Sequence, residues 1–167
     1  MLVASCMALA QPSAMQEAQS CAPGSPLPHF VLMSIDGHAL HTSSLIGHPS
    51  VLSFWATWCA PCLKDMRVLD AAAGRFSRQN LAILGMIVDQ PHPETVRLDI
   101  ARGGAHYAQY LVPNDVEEAF DVQRGLPLTV FVDSRGVVHA MVRGPLTAAQ
   151  LDSEILSILP RSPKRKR

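Results

Sequence analysis

The sequence has few charged residues and few cysteines, and it has no long apolar run. Charged side chains make up 17% of the 167 residues, and 14 basic side chains balance 14 acidic ones, so the overall charge does not indicate a nucleic-acid partner. Four cysteines are too few for a domain stapled by disulfides. No apolar stretch approaches the roughly 20 residues that a membrane-spanning helix needs. The 48% of hydrophobic residues still suffices for a core, and the length fits one domain.

The N-terminus combines an apolar start with a polar, proline-bearing continuation. Val3-Ala4-Ser5-Cys6 resembles a bacterial lipobox, in which the cysteine becomes lipidated. The basic residues that open an export signal are missing, so we expect a truncated or partial signal with Cys6 as its lipidation site. A plain apolar N-terminus is the alternative. On the first interpretation, residues 1–25 comprise this signal and a flexible spacer that contains Cys21.

The C-terminus is a basic tail. Five of the residues 161–167 are Lys or Arg, and without them the chain has nine basic and fourteen acidic residues. A basic tail contacts anionic lipid or nucleic acid in some proteins, but it is more commonly a solvated end. We therefore expect no nucleic-acid binding.

Strand and helix patterns alternate between residues 26 and 160. Apolar runs at 30–35, 50–56, 81–88 and 128–132 predict strands, and residues 137–142 complete a hairpin with the last of these. Helical patterns cover about 59–78, 93–102, 114–120 and 147–159, and Thr147 with Gln150 predicts a capping box. This order predicts an α/β domain over residues 26–160, with one central mixed sheet flanked by helices on both faces.

The motif Trp58-Cys59-Ala60-Pro61-Cys62 lies where a predicted strand meets a predicted helix. A helix N-terminus carries partial positive charge, which stabilises a thiolate and lowers the pKa of a cysteine placed there. Two cysteines three positions apart at a helix start lie on the same side and can form a disulfide. We expect Cys59 to be the more exposed and to attack, and Cys62 to resolve the mixed disulfide.

Zinc and haem fit these cysteines poorly. A structural zinc site normally has four protein ligands, and the sequence contains no second C-x-x-C or H-x₃-H pair. Haem attachment requires histidine directly after the second cysteine, where Leu63 stands. We therefore expect no metal and no cofactor. A pair of buried, inert cysteines is the remaining structural alternative.

The residues around the motif resemble a known family. Phe54 to Cys62, followed by Lys64-Asp65-Met66, is similar to the extracytoplasmic thiol–disulfide oxidoreductases of the TlpA, ResA and CcmG type within the thioredoxin superfamily. The similarity covers about residues 24–160 and includes Gly125-Leu126-Pro127 and Gly144-Pro145-Leu146. It implies a thioredoxin-like fold and a redox-active Cys59–Cys62 disulfide.

The resemblance also implies roles for individual residues. Cys59 corresponds to the family's nucleophile, Cys62 to its resolving cysteine, and Pro127 to a cis-proline that faces the disulfide. A cis bond at this place leaves the backbone groups of Leu126 free to pair with a substrate strand. Trp58 flanks the sulfurs as a further substrate contact.

Three nearby positions bear on proton transfer and helix shape. Asp65 corresponds to an acidic position, more often Glu in the family, that exchanges a proton near Cys62; a solvated helix-face Asp is the alternative. Ser53 stands where classical thioredoxins carry a buried Asp, so that role passes to Asp65 or to water. Arg67 stands where many relatives have a helix-kinking Pro.

We therefore expect a thiol–disulfide oxidoreductase that reduces disulfides of extracytoplasmic proteins, for example in cytochrome c maturation. We expect a periplasmic or otherwise extracytoplasmic monomer with a lipid anchor, re-reduced by a membrane thiol donor. The alternative is a copper-handling or thiol-bearing module that binds partners without turnover. Copper carriers of related fold separate their cysteines by three residues, and related peroxidases have T-x-x-C, whereas Thr57 lies two positions before Cys59.

Overall fold

A seven-stranded sheet runs through residues 21–160, the part of the chain that the computed structural model describes. In chain order its strands are β1 (Val31–Ser34), β2 (Ala39–His41), β3 (Ser50–Trp55), β4 (Ala82–Ile87), β5 (Gln109–Leu111), β6 (Leu128–Val132) and β7 (Val138–Arg143). Their spatial order is β2-β1-β5-β4-β3-β6-β7, in which β3–β4 and β4–β5 are parallel and the other neighbours antiparallel. The sheet is therefore mixed, as predicted.

Four α-helices cover the two faces of this sheet. The helices are α1 (Ala60–Arg75), α2 (Pro93–Gly103), α3 (Asn114–Ala119) and α4 (Ala148–Ile158). Helix α1 packs against α2 and α4 on one face, while α3 contributes to the apolar core on the other. The predicted capping box is present at the start of α4, because the Thr147 hydroxyl accepts from the Gln150 N–H and the Gln150 side chain accepts from the Thr147 N–H.

The parallel register of β3 and β4 decides where the next residues of each strand meet. Trp55 pairs with Ile87 at the carboxyl ends of these strands. Since parallel strands end at the same edge of a sheet, the residues that follow them lie side by side there. The cysteine motif follows β3, so this edge carries the candidate site.

The ordered domain extends further toward the N-terminus than the sequence predicted. Cys21 is buried in the core, and its N–H donates to the Ala119 carbonyl over 2.7 Å. The Gly24 N–H donates to the Val138 carbonyl over 2.8 Å. Residues 21–25 therefore belong to the domain, and the prediction that the flexible spacer reaches residue 25 is wrong for them.

Three predictions fall on residues outside 21–160: the export signal, lipidation at Cys6 and the basic tail of residues 161–167. They stay predictions. Within residues 21–160, no helix combines the length and the hydropathy needed to cross a bilayer.

Candidate active site

The disulfide predicted from the motif is present at the start of α1. Cys59 is the N-cap residue of this helix, and Cys62 lies in its first turn, with Pro61 between them. The Cα atoms of the two cysteines are 5.3 Å apart. Because the first backbone N–H groups of a helix have no partner within the helix, the sulfur at the N-cap meets the positive end of the helix dipole.

The two cysteines do not differ in exposure. In the disulfide, Cys59 is 3% exposed and Cys62 is 2% exposed. The expectation that Cys59 would be the more exposed sulfur is therefore not met in this oxidised state. What distinguishes the two is their place in the helix, since Cys59 caps it and Cys62 lies inside the first turn.

The two tryptophans that flank the motif lie in opposite environments. Trp55 is fully buried in the apolar cluster that contains Cys59 and Cys62, and its indole N–H donates to the Gln109 side-chain oxygen over 2.9 Å. Trp58 is 71% exposed beside the disulfide. Trp55 therefore anchors the end of β3, whereas Trp58 presents an apolar ring to anything that approaches the sulfurs.

Space for this anchor depends on a glycine in the central strand. The buried Gln109 amide lies against Gly85 of β4, where any Cβ atom would overlap it. Gln109 also donates to the Tyr107 carbonyl over 3.2 Å. Gly85 is thus required because the Gln109 amide that accepts from the Trp55 indole occupies the space of a Cβ atom at this position.

The loop before β6 contacts the apolar cluster that holds the disulfide. The Leu126–Pro127 peptide bond is cis, and the Leu126 side chain packs against the cluster that holds Cys59 and Cys62. The Gly144 N–H donates to the Pro127 carbonyl over 2.8 Å and so ties this loop to the end of β7. Of the residues for which the resemblance implied a substrate contact, Leu126 packs against the cluster that holds the disulfide, Pro127 follows it through the cis bond, and Trp58 directly precedes Cys59.

Asp65 is buried rather than solvated. Its residue is 5% exposed, and its Oδ2 accepts from the Leu146 N–H over 3.4 Å. Burial raises the pKa of this carboxyl to about 6, and the Leu146 hydrogen bond offsets only part of that rise. The alternative of a solvated helix-face Asp is therefore wrong. A carboxyl group one turn beyond Cys62 that titrates near pH 6 has the position and acidity to exchange a proton with a thiol.

Asp89 is a residue of this edge that the sequence interpretation missed. Its carboxylate accepts from the Thr57 hydroxyl over 2.6 Å and from the Thr57 N–H over 3.1 and 3.2 Å. Thr57 and Asp89 each lie two residues beyond the paired strand ends Trp55 and Ile87, so the parallel register places them together. An acidic residue directly after the central strand was the signal in the sequence. Asp89 therefore fixes the segment that leads into Cys59.

We expect Asp89→Asn to change the chemistry of Cys59 and Thr57→Val to leave it nearly unchanged. The asparagine removes a negative charge near Cys59, which lowers the pKa of its thiol, whereas the valine removes one hydrogen bond and keeps the charge. Alkylation of reduced Cys59 at pH 7 should become about two- to threefold faster in Asp89→Asn alone. The measurement is the pH dependence of the alkylation rate, followed by peptide mass mapping. Equal changes in both variants would mean that the hydrogen bonds, and not the charge, set the reactivity.

The structure shows the surroundings of Arg67 and Ser53, the two positions at which the sequence departs from the family pattern. Helix α1 runs unbroken through Arg67, whose guanidinium donates to the Arg102 carbonyl over 3.1 Å. Ser53 is buried and pairs with Thr129 on the neighbouring strand β6. The carboxylate that classical thioredoxins carry on this strand is thus replaced by a neutral hydroxyl, which leaves Asp65 as the buried acid near Cys62.

The part of the chain that the structure describes contains no cluster of side chains suited to bind a metal ion. Within residues 21–160, no three or more His, Cys, Asp or Glu side chains come together as a set of metal ligands.

Comparison with known proteins gives relatives of matching architecture. The family model described as AhpC/TSA family matches residues 23–141. The thiol-disulfide oxidoreductase ResA of Geobacillus kaustophilus is 30% identical over 145 residues, covering 86% of this chain and 82% of the relative. The ResA of Bacillus subtilis is 29% identical over 143 residues, covering 85% and 79%. The crystal structure of a thiol:disulfide interchange protein of the thioredoxin family from Chlorobium tepidum superposes with a TM-score of 0.73 at 23% identity, covering 84% of this chain and all of that one.

Fold and site together define a thioredoxin-like thiol–disulfide oxidoreductase, with a Cys-x-x-Cys disulfide at the start of a helix and a cis-proline loop against it. The chain belongs to the AhpC/TSA family, and within it the ResA thiol-disulfide oxidoreductases are among its relatives.

Proposed function

We propose that this protein reduces disulfides of extracytoplasmic proteins through Cys59 and Cys62. The observation that carries the proposal is the Cys59–Cys62 disulfide at the N-terminus of α1, flanked by the exposed Trp58 and by the Leu126–Pro127 loop. The disulfide provides the redox couple, and Trp58 with the Leu126–Pro127 loop provides a surface for a substrate chain.

The reaction proceeds in two exchanges. In the reduced protein, the Cys59 thiolate attacks one sulfur of a substrate disulfide, which forms a mixed disulfide and releases the other substrate sulfur as a thiolate. The Cys62 thiolate then attacks the Cys59 sulfur, which closes the protein disulfide and releases the substrate as a dithiol. Asp65 accepts the Cys62 proton in the second step. An external dithiol, for which we propose a membrane thiol donor, returns the two electrons to the protein.

The substrate chain aligns along the Leu126–Pro127 loop. The N–H and C=O of Leu126 make no hydrogen bond to any other residue in 21–160, and its side chain packs against the cluster that holds the disulfide. An extended substrate segment can therefore pair with Leu126 as an added strand while Trp58 covers one side of the reacting sulfurs.

Two carboxyl groups support the reducing direction. Asp65 is buried one turn beyond Cys62, and Asp89 holds the segment that leads into Cys59. Negative charge near a thiolate destabilises the reduced form of a dithiol pair, and a less stable reduced form makes the pair a stronger reductant. The resemblance to extracytoplasmic reductases supports the location, a lipid anchor at Cys6 and substrates such as the cysteine pairs of apocytochrome c.

The reduction potential of Cys59–Cys62 tests the direction. We expect a value near that of thioredoxin, about −270 mV, from equilibration with a graded dithiothreitol or glutathione buffer. A value near −120 mV, typical of a strong oxidant, would contradict the reducing function. Failure to form the disulfide in any buffer would favour the alternative of a partner-binding or copper-handling module, and copper titration of the reduced protein against Cys59→Ser would then test that alternative.

A further inference from the structure

Three cationic side chains lie together where α1 meets α2 and form what we call the basic face: Lys64 and Arg67 on α1, and Arg102 near the end of α2. They line one shallow surface depression together with Leu63. All three are exposed. The mechanism described above uses none of them.

The basic face begins close to the redox centre along α1. Lys64 lies two residues after Cys62, and the side chain of Leu63, which lines the same depression, packs against the cluster that contains Cys59 and Cys62. A polypeptide joined to Cys59 in a mixed disulfide therefore has its neighbouring residues within reach of this surface.

The positive charge of the basic face is largely unneutralised. Six of the nine Lys and Arg residues in 21–160 are in ion pairs, and Lys64, Arg67 and Arg78 are the three that are not. Two of these three, Lys64 and Arg67, stand one turn apart in the first half of α1. Arg102 pairs with the buried Asp99, and Arg67 donates to the Arg102 carbonyl. That contact holds the Arg67 guanidinium beside Arg102 at the end of α2.

This concentration of positive charge contrasts with the rest of the domain. Residues 21–160 contain nine basic and thirteen acidic side chains, a net charge of −4. The basic face is thus a local exception on an acidic domain, and complementary charge on a partner is attracted to it and repelled elsewhere.

We propose that the basic face binds an acidic segment that flanks the target disulfide of the substrate protein, and so selects substrates by charge. This deepens the proposed reductase function and rests on it. A membrane surface is the competing partner for a basic patch. Three basic residues attract an anionic membrane only weakly, because each contributes little by itself, and the net negative charge of residues 21–160 opposes that attraction. A protein segment needs only local complementarity, so the observations favour it.

The test compares three disulfide peptides of one sequence whose residues next to the disulfide are Glu, Gln or Lys. We measure kcat/KM for their reduction by the full-length wild-type protein, by Lys64→Gln/Arg67→Gln and by Arg78→Gln. Arg78 is the matched control, because it is also exposed and without an ion pair in 21–160 but lies beyond the far end of α1, about 20 Å along the helix from Cys62. The ratio of acidic to neutral peptide within each variant cancels any change in the reactivity of the cysteines themselves.

In the wild type we expect the acidic peptide to be reduced about tenfold faster than the neutral one at low salt, and the basic peptide more slowly than either. The preference should fall to about twofold or less in Lys64→Gln/Arg67→Gln and in the wild type at about 0.5 M salt, because screening shortens the reach of exposed charges. Arg78→Gln should keep the full preference.

Different outcomes overturn different statements. If the wild type reduces all three peptides equally, or if the double variant keeps the full preference, the basic face does not select acidic substrates and the reductase function stands. If no peptide is reduced by any variant, the reductase function fails and the substrate preference fails with it. If the peptides are reduced equally but binding to phosphatidylglycerol vesicles weakens in the double variant and not in Arg78→Gln, the basic face serves a membrane surface instead.

Discussion

Cys59→Ser is expected to lower disulfide reduction by at least about 1000-fold, while Cys62→Ser stops the reaction halfway. Without Cys59 there is no thiolate at the N-cap of α1 to attack the substrate. Without Cys62 the first exchange still occurs, but nothing resolves the product, so a mixed disulfide with substrate accumulates at one equivalent per protein. Insulin reduction measures the first effect, and intact-protein mass spectrometry with peptide mapping measures the second.

Cys21→Ser is the matched control for both variants. Cys21 is buried in the core on the sheet face opposite α1 and α4, and burial raises the pKa of its thiol, so it has neither access nor reactivity. Its replacement should leave turnover unchanged. A mixed disulfide that maps to Cys62 in the Cys59→Ser variant would contradict the assignment of Cys59 as the attacking residue.

Asp65→Asn is expected to slow turnover by about 10- to 100-fold at neutral pH and to remove an ionisation near pH 6 from its pH profile. In the proposed reaction, the carboxylate that forms above about pH 6 accepts the Cys62 proton, and an amide cannot do so. The measurement is single-turnover resolution of a preformed mixed disulfide between pH 4.5 and 8.5. A wild-type profile without an ionisation near pH 6, or one that survives in Asp65→Asn, would mean that another group or water takes the proton.

The same substitution should stabilise the protein at neutral pH. Because the folded-state pKa of Asp65 lies above its ordinary value of 3.8, the stability linked to this group is full below about pH 4 and is lost as pH rises through about 6. Asp65→Asn avoids that loss, so we expect it to be more stable than the wild type by up to about 2 kcal/mol at pH 7.5 and equal at pH 4. Denaturant unfolding at both pH values measures this.

Asp70→Asn supplies a control of opposite sign on the same helix. Partial burial alone would raise the pKa of Asp70, but the hydrogen bonds from the His106 N–H and ring, together with the charge of that ring, lower it. Because the folded-state pKa of Asp70 lies below its ordinary value, its carboxylate stabilises the folded protein at any pH above that ordinary value, and this stability is lost as pH falls. Asp70→Asn should therefore destabilise the protein at pH 7.5. If both variants shift stability in the same direction, the changes do not arise from ionisation.

Sequence patterns predicted the helices and strands that are determined by residues close to one another in the chain. The strand before the motif, the helix after it and the Thr147 capping box all follow from neighbours in sequence, and the structure contains them. Strands β2 and β5 were missed because three residues are too few to show the alternation of a strand. Their pairing with β1 and β4 forms only when distant segments come together.

The features of the site that the sequence did not predict depend on long-range contacts. The buried carboxyl group of Asp65 accepts a hydrogen bond from Leu146, which lies 81 positions away. The Thr57 hydroxyl donates to Asp89, which lies 32 positions away. The pattern of residues within α1 does not predict the contact between Asp65 and Leu146, since a polar residue on a helix is ordinarily exposed. The place of Cys21 in the core likewise depends on a hydrogen bond to Ala119.

The short segment from Gly144 to Leu146 holds two parts of the site at once. Its first residue donates to the Pro127 carbonyl, and its last donates to Asp65. The loop with the cis Leu126–Pro127 bond and the buried carboxyl group of Asp65 are therefore tied to one another through only three consecutive residues. The same short segment positions both the proposed substrate surface and the proposed proton acceptor.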